Sequence, residues 1–182
     1  MTSSRLKIIL LLSFTLIYYQ CNDVIDISKI EITFNGKKTF FKKNSKAYTG
    51  VINEYYDDGK VKMEMSVLNG FKEGLFKQFH TNGNLQTQSN FIKGEIHGKF
   101  TSYHQSGNQQ IIAFYNDNHR HGSYEEFHEN GQLESDIDYQ DDVPVDGPYT
   151  IFLQDGSIWE KGTFKNKGQE IDLIIRGGKP TS

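Results

Sequence analysis

Histidine is the side chain with the most catalytic and metal-binding uses near neutral pH, and three of the six in this sequence recur at a fixed interval. His80, His104 and His128 stand 24 residues apart, each directly after an aromatic residue. A repeated strand slot recurs about every 9.6 Å, two strands of ~4.8 Å. Two ligands of one zinc, each ~2.0–2.1 Å from the metal, must nearly touch. The triad therefore fails as a single metal site, and the alternation rule places the three as polar residues on the solvent face of a strand. His97, His119 and His121 fall near repeat boundaries, where His119-Arg120-His121 offers an anion or a surface metal a foothold without any supporting shell of ligands. Asp57-Asp58, Asp141-Asp142 and Asp146 suggest calcium or paired carboxylates, yet the twelve-residue calcium-loop spacing is missing and Asp58 is required by a turn. No nucleophile elbow, phosphate loop or zinc-protease motif occurs. The expectation is no catalytic residue, no cofactor and no metal.

Behind these residues lies a repeat. Leading glycines stand at 50, 74, 98, 122 and 147, a period of 24 with one inserted residue in the fourth copy. A second glycine follows nine residues later each time, at Gly59, Gly83, Gly107, Gly131 and Gly156, preceded by Asp58, Asn82, Ser106, Asn130 and Asp155. Asn-Gly and Asp-Gly supply both positive-φ positions of a type I′ hairpin turn, so a type I′ turn is expected at each. Two apolar positions precede it. Ile52, Phe76, Phe100, Tyr124 and Tyr149 fill the first; Tyr55, Phe79, Tyr103, Phe127 and Phe152 fill the second. Val61, Leu85, Leu133 and Ile158 open the strand after the turn, where Gln109 breaks the pattern. Val67, Phe91, Tyr115, Tyr139 and Phe164 end it. A looser polar turn, as at Asn69-Gly70 and Lys93-Gly94, then returns to the next leading glycine. Two strands in 24 residues leave no room for a crossover helix, so neighbours pair antiparallel. The expected fold is all-β, a single-layer antiparallel meander of about ten strands whose aromatics line one face.

The flanks read as caps. Residues 21–49 form a linker and a degenerate capping unit, with Ile25, Ile27, Ile30, Ile32 and Phe34 before Asn35-Gly36 and Phe40-Phe41 after it. Five lysines between Lys37 and Lys46 make it the most basic part. Residues 50–170 hold the five repeats, and 171–182 a closing strand and tail. The chain as a whole carries 20 basic and 23 acidic residues, a net −3, so no nucleic-acid surface is indicated. Its 13 Phe and 10 Tyr argue against disorder.

The repeat resembles the MORN repeat, in particular the bacterial variant that pairs a leading glycine with two aromatics and an Asn/Asp-Gly turn, across residues 50–170. The third copy departs most, with Ser106-Gly107 at the turn and Asn118 where Gly70 and Gly94 stand. The resemblance implies a meander used as a scaffold or binding surface, with an antitoxin label on some bacterial relatives.

Residues 1–20 read as a signal peptide. Arg5 and Lys7 precede an uncharged run from Ile8 to Ile17, too short to span a bilayer of about 30 Å comfortably. The sole cysteine, Cys21, follows at once and excludes an intrachain disulfide. This resembles a bacterial lipoprotein signal, in which the thiol is acylated, although Tyr18-Tyr19-Gln20 replaces the usual small residues. Ordinary secretion with a free thiol and an uncleaved anchor are the alternatives. The functional expectation is a non-enzymatic, lipid-anchored scaffold of the cell envelope that binds a protein partner. Candidate contacts are Tyr55, Phe79, Tyr103, Phe127 and Phe152. A glycan- or lipid-binding module, or an antitoxin-like partner of a toxin, is the alternative.

Overall fold

The computed structural model describes residues 24–177; the signal segment, Cys21 and the last five residues lie outside them. Within the described part the chain is a long β-meander. In chain order it has β1 (Val24–Asp26), a 3-10 turn (Ile27–Lys29), β2 (Glu31–Phe34), β3 (Thr39–Lys43) and β4 (Lys46–Ala47). The repeats then supply β5 (Gly50–Tyr55), β6 (Val61–Leu68), β7 (Phe71–Phe79), β8 (Leu85–Ile92), β9 (Glu95–Tyr103) and β10 (Gln109–Asn116). They continue with β11 (His119–Phe127), β12 (Leu133–Gln140), the short β13 (Val143–Pro144), β14 (Gly147–Phe152) and β15 (Ile158–Lys165). Strand β16 (Glu170–Arg176) follows them. Successive strands from β5 to β12 and from β14 to β16 are antiparallel neighbours, the meander expected from the repeat.

The two kinds of turn are the reverse of the expectation. At the Asn/Asp-Gly turns only the glycine has positive φ, as in Gly83 at 90° and Gly131 at 85°. The N–H of Gly83 donates to the carbonyl of His80, and that of His80 to the carbonyl of Asn84, which makes a three-residue loop closed by a glycine bulge. The polar residue ahead of glycine secures the loop with its side chain, since Asp58, Asn82, Asn130 and Asp155 each accept the N–H two residues on. The two-residue type I′ turns lie at the other end. Asn69-Gly70, Lys93-Gly94, Asp117-Asn118 and Asp141-Asp142 have both central residues at positive φ.

Four of the five leading glycines face an aromatic residue at the end of their own hairpin: Gly74 pairs with Phe91, Gly98 with Tyr115, Gly122 with Tyr139 and Gly147 with Phe164, while Gly50 faces Val67. Without a Cβ there, the first-strand aromatic leans across. Phe76 meets Phe91 edge-on at 5.6 Å, Phe100 meets Tyr115 at 5.8 Å, and Tyr124 meets Tyr139 at 5.7 Å. Tyr149 stacks on Phe164 at 4.4 Å. The same glycines bulge the strand towards the preceding unit, since Ser89 pairs with Phe100 while Phe91 pairs with Ile96.

At the N-terminal end the hairpin centred on Asn35-Gly36 forms, but in a separate sheet of β2, β3 and β4 rather than as a sixth unit of the meander. Strand β1 instead pairs parallel with β5. The small sheet lies against the first unit, where Ile25, Ile30, Phe41, Tyr48, Ile52, Met63, Met65 and Val67 make the one continuous buried cluster among the described residues. The other irregularity follows the fourth unit. Its inserted residue leaves a single ladder pair between β12 and β14, Ser135 with Ile151, and β13 fills the gap as a two-residue strand on β12.

Candidate functional site

The second-position aromatics are held by the unit before them. The Tyr56 hydroxyl donates to the Phe79 carbonyl at 2.6 Å. One unit on, His80 Nε2 bonds the Tyr103 carbonyl at 2.9 Å, His104 Nε2 that of Phe127 at 2.9 Å, and His128 Nε2 that of Phe152 at 2.8 Å. A carbonyl only accepts, so Nε2 carries the proton in all three. The histidines are thus not solvent-face residues, as the alternation rule had them; His128 is only 13% exposed in its side chain. In the last unit, with no unit after it, Leu153 takes the slot. Beside this ladder, Asn82 and Asn84 donate to the Gln105 carbonyl, Asn108 to that of Glu129 and Asn130 to that of Gln154.

The clamped row lies on one face and the aromatic pairs on the other. Phe76 and Phe79 are three residues apart on β7, and the register shift between Gln78 and Phe79 falls on the partner strand, so alternation puts them on opposite faces. The expectation of a single aromatic face is therefore corrected to two rows. In the first, Tyr149 is 4% exposed and Phe91 8%. In the second, Tyr55 is 41% exposed and Phe79, Tyr103, Phe127 and Phe152 are half-buried.

At the opposite edge the return turns stack. The N–H groups of Gly94, Asn118 and Asp142 donate to the carbonyls of Lys72, Ile96 and Arg120. His119-Arg120-His121 lies in β11, each residue spent on a carboxylate of the next turn. His119 Nδ1 and Arg120 Nε bond Asp142 at 2.8 and 3.1 Å, and His121 Nδ1 lies 3.3 Å from Asp141. The bonds Asp142 accepts from the Arg120 N–H and from His119 and Arg120 side chains hold its carboxyl down to about 2. Asp146 likewise accepts the Lys167 N–H. Above the aromatic pairs sit two cations: Lys72 Nζ lies 5.0 and 4.9 Å from the Phe76 and Phe91 ring centres, and the Arg120 guanidinium 4.0 Å from that of Tyr139. Burial lowers the Lys72 pKa. Among the described residues no three His, Cys, Asp or Glu side chains converge to hold a metal. The repeated side chains that suggested chemistry are committed to joining units. The second-position row is half-buried but for Tyr55, and its clamp was invisible to sequence reasoning because each partner carbonyl lies 23 or 24 residues away.

Five segments, residues 48–69, 72–93, 96–117, 120–141 and 145–166, match the MORN repeat variant family. No curated protein matches the chain. Among solved structures, the crystal structure of a GtfA/B complex bound to UDP and GlcNAc aligns over 71% of this chain at 11% identity, with a TM-score of 0.25. This chain spans 23% of that one's length.

Proposed function

We propose that this chain, which belongs to the MORN repeat variant family, is a non-enzymatic scaffold tethered to a bacterial envelope membrane through Cys21, holding a protein partner on its second-position row. MORN repeats serve generally as interaction scaffolds. The observation that carries the finer reading is the clamp: four of the five row residues have their carbonyls bonded by the preceding unit. A partner laid across them meets aromatic residues carried on a main chain that the preceding unit already holds in place. An antitoxin-like role would be the same capture with a toxin as the partner.

The test replaces Phe79 or Phe127, and separately the packed Phe76, with a photoreactive phenylalanine in whole cells. Cross-links to one protein from 79 and 127 but not from 76 support the reading. Cross-links from none, together with glycan-array binding by the same chain, would replace it with a sugar-binding one. For the tether, Cys21→Ala should move the protein out of the membrane fraction, and retention there would defeat acylation.

A further inference from the structure

An asparagine followed by glycine holds an electrophile beside a nucleophile. The main-chain nitrogen that follows can attack the side-chain amide carbon, and glycine, lacking Cβ, obstructs that approach least. Four such pairs occur, Asn35-Gly36, Asn69-Gly70, Asn82-Gly83 and Asn130-Gly131. At three of them the fold ties up the nucleophile. The N–H groups of Gly70, Gly83 and Gly131 each donate at 2.8 Å, to the carbonyls of Tyr48, His80 and His128. The Asn82 amide also donates to the Gln105 carbonyl at 2.9 Å, and the Asn130 amide to that of Gln154 at 2.8 Å, so both side chains are bound to the following unit. Gly70 is buried, with the Phe40 ring against the space a Cβ would fill.

Asn35-Gly36 is built otherwise. Phe34 pairs with Thr39 and the Asn35 N–H reaches the Lys38 carbonyl at 3.3 Å, which leaves Gly36 and Lys37 as a two-residue loop. Of those two only Gly36 has positive φ, at 87°, the mark of a type II′ turn. Asn35, Gly36 and Lys37 are exposed, and among the described residues neither the Gly36 N–H nor Asn35 Nδ2 has an acceptor. Asn35 Oδ1 accepts the N–H groups of Lys37 at 3.0 Å and Lys38 at 2.8 Å.

We propose that Asn35 is a site of intramolecular deamidation, the one Asn-Gly pair that this fold leaves reactive. Hydroxide takes the Gly36 proton, and the nitrogen forms a bond to Cγ. Negative charge gathers on Oδ1, where two N–H donors already point. The Cγ–Nδ2 bond then breaks, ammonia leaves with a proton from water, and a succinimide ring remains. Water opens that ring at either carbonyl, giving an aspartate or an isoaspartate. The only co-reactant is water. The bond closing this loop is long, and turning Gly36 N towards Cγ disturbs no repeat unit. At Asn82 and Asn130 the same movement would first break the glycine's own bond and one between units. The product sets a carboxylate at the tip of the most basic part of the chain, directly before Lys37 and Lys38.

The full chain is held at mildly alkaline pH, folded in one arm and unfolded in urea in the other. Samples are digested at intervals, and the asparagine peptides are followed by mass spectrometry with fragmentation that separates aspartate from isoaspartate. In the folded arm Asn35 should convert first, about tenfold ahead of Asn82 and Asn130, because those pairs must lose two hydrogen bonds before attack. Asn69, whose glycine is both bonded and buried, should also lag. In urea the four pairs should converge on a common rate, and the Asn35 rate in the folded chain should rise with pH as hydroxide supplies the base. An Asn35 that stays intact while the urea arm reacts would overturn the proposal. So would conversion of Asn69, Asn82 or Asn130 as fast as that of Asn35 in the folded chain. Neither result touches the cross-links from Phe79 and Phe127, so the scaffold reading is tested separately.

Discussion

Single residues in this fold are constrained by backbone shape more than by packing. A Cβ at Gly83 would meet nothing within 4 Å, yet its φ is +90°, where an L side chain is strained however much space surrounds it. Gly83→Val should therefore destabilise the chain by more than ~1 kcal/mol, and an unchanged melting temperature would refute the bulged turn. Tyr149 shows the opposite constraint, imposed by packing. It is buried on Phe164 and donates to Glu160 at 2.6 Å, and burial with that carboxylate pushes its phenol up to about 12. In the unfolded chain the phenol loses its proton near pH ~10. Between these values the folded form retains a proton that the unfolded form has lost, so stability is complete below pH 10 and falls as pH rises towards 12. Tyr149→Phe should remove that part of the alkaline decline, measured as urea midpoints from pH 8 to 12.

At the level of the hairpin, the glycine period was legible in the sequence and the turn types were not. An Asn-Gly pair satisfies a type I′ turn and a bulged three-residue loop equally well, since both need positive φ at the glycine. The true type I′ turns are built partly from Lys93-Gly94 and Asp141-Asp142, weak signals taken alone. They are stabilised by donating to a carbonyl of the same unit's first strand and by carboxylates such as Glu73, whose Oε2 accepts the Lys93 N–H at 2.7 Å. The histidine ladder escaped for a related reason: its partners appear only once the units are in register. Its contribution can be measured by borrowing the last unit's own substitution. His104→Leu should cost about 1–2 kcal/mol, because it leaves the half-buried Phe127 carbonyl without its donor. Leu153→His, at the slot with no following unit, should be nearly neutral. Equal effects in the two variants, read from chemical denaturation, would show that the histidines act locally rather than between units.

Across the whole molecule, stability is unevenly spread, and the two ends could not be read from the repeat. The N-terminal hairpin carries turn and apolar signals as good as any unit's, but it folds over the first unit to build the buried cluster, while three residues of β1 take the sheet edge. Towards the other end a single extra residue loosens the meander. Between β8 and β9 five residue pairs lie in register, whereas β12 shares two with β13 and one with β14, three across the same boundary. Val145 sits at that break, 43% exposed, its N–H turned to the Asp138 carbonyl. In a stacked-repeat protein, total stability is close to a sum of unit and interface terms, so a weak interface lets the units beyond it open on their own. Amide exchange should accordingly be faster across β14 and β15 than across β7 to β10. Deleting Val145 returns the fourth unit to 24 residues and lets β14 regain the pairing its counterparts have. Exchange in residues 147–165 should then slow towards that of the interior units. If it stayed fast, the insertion would not be the cause, and the loose end would have to be traced to β16, whose outer edge has no partner strand among the described residues.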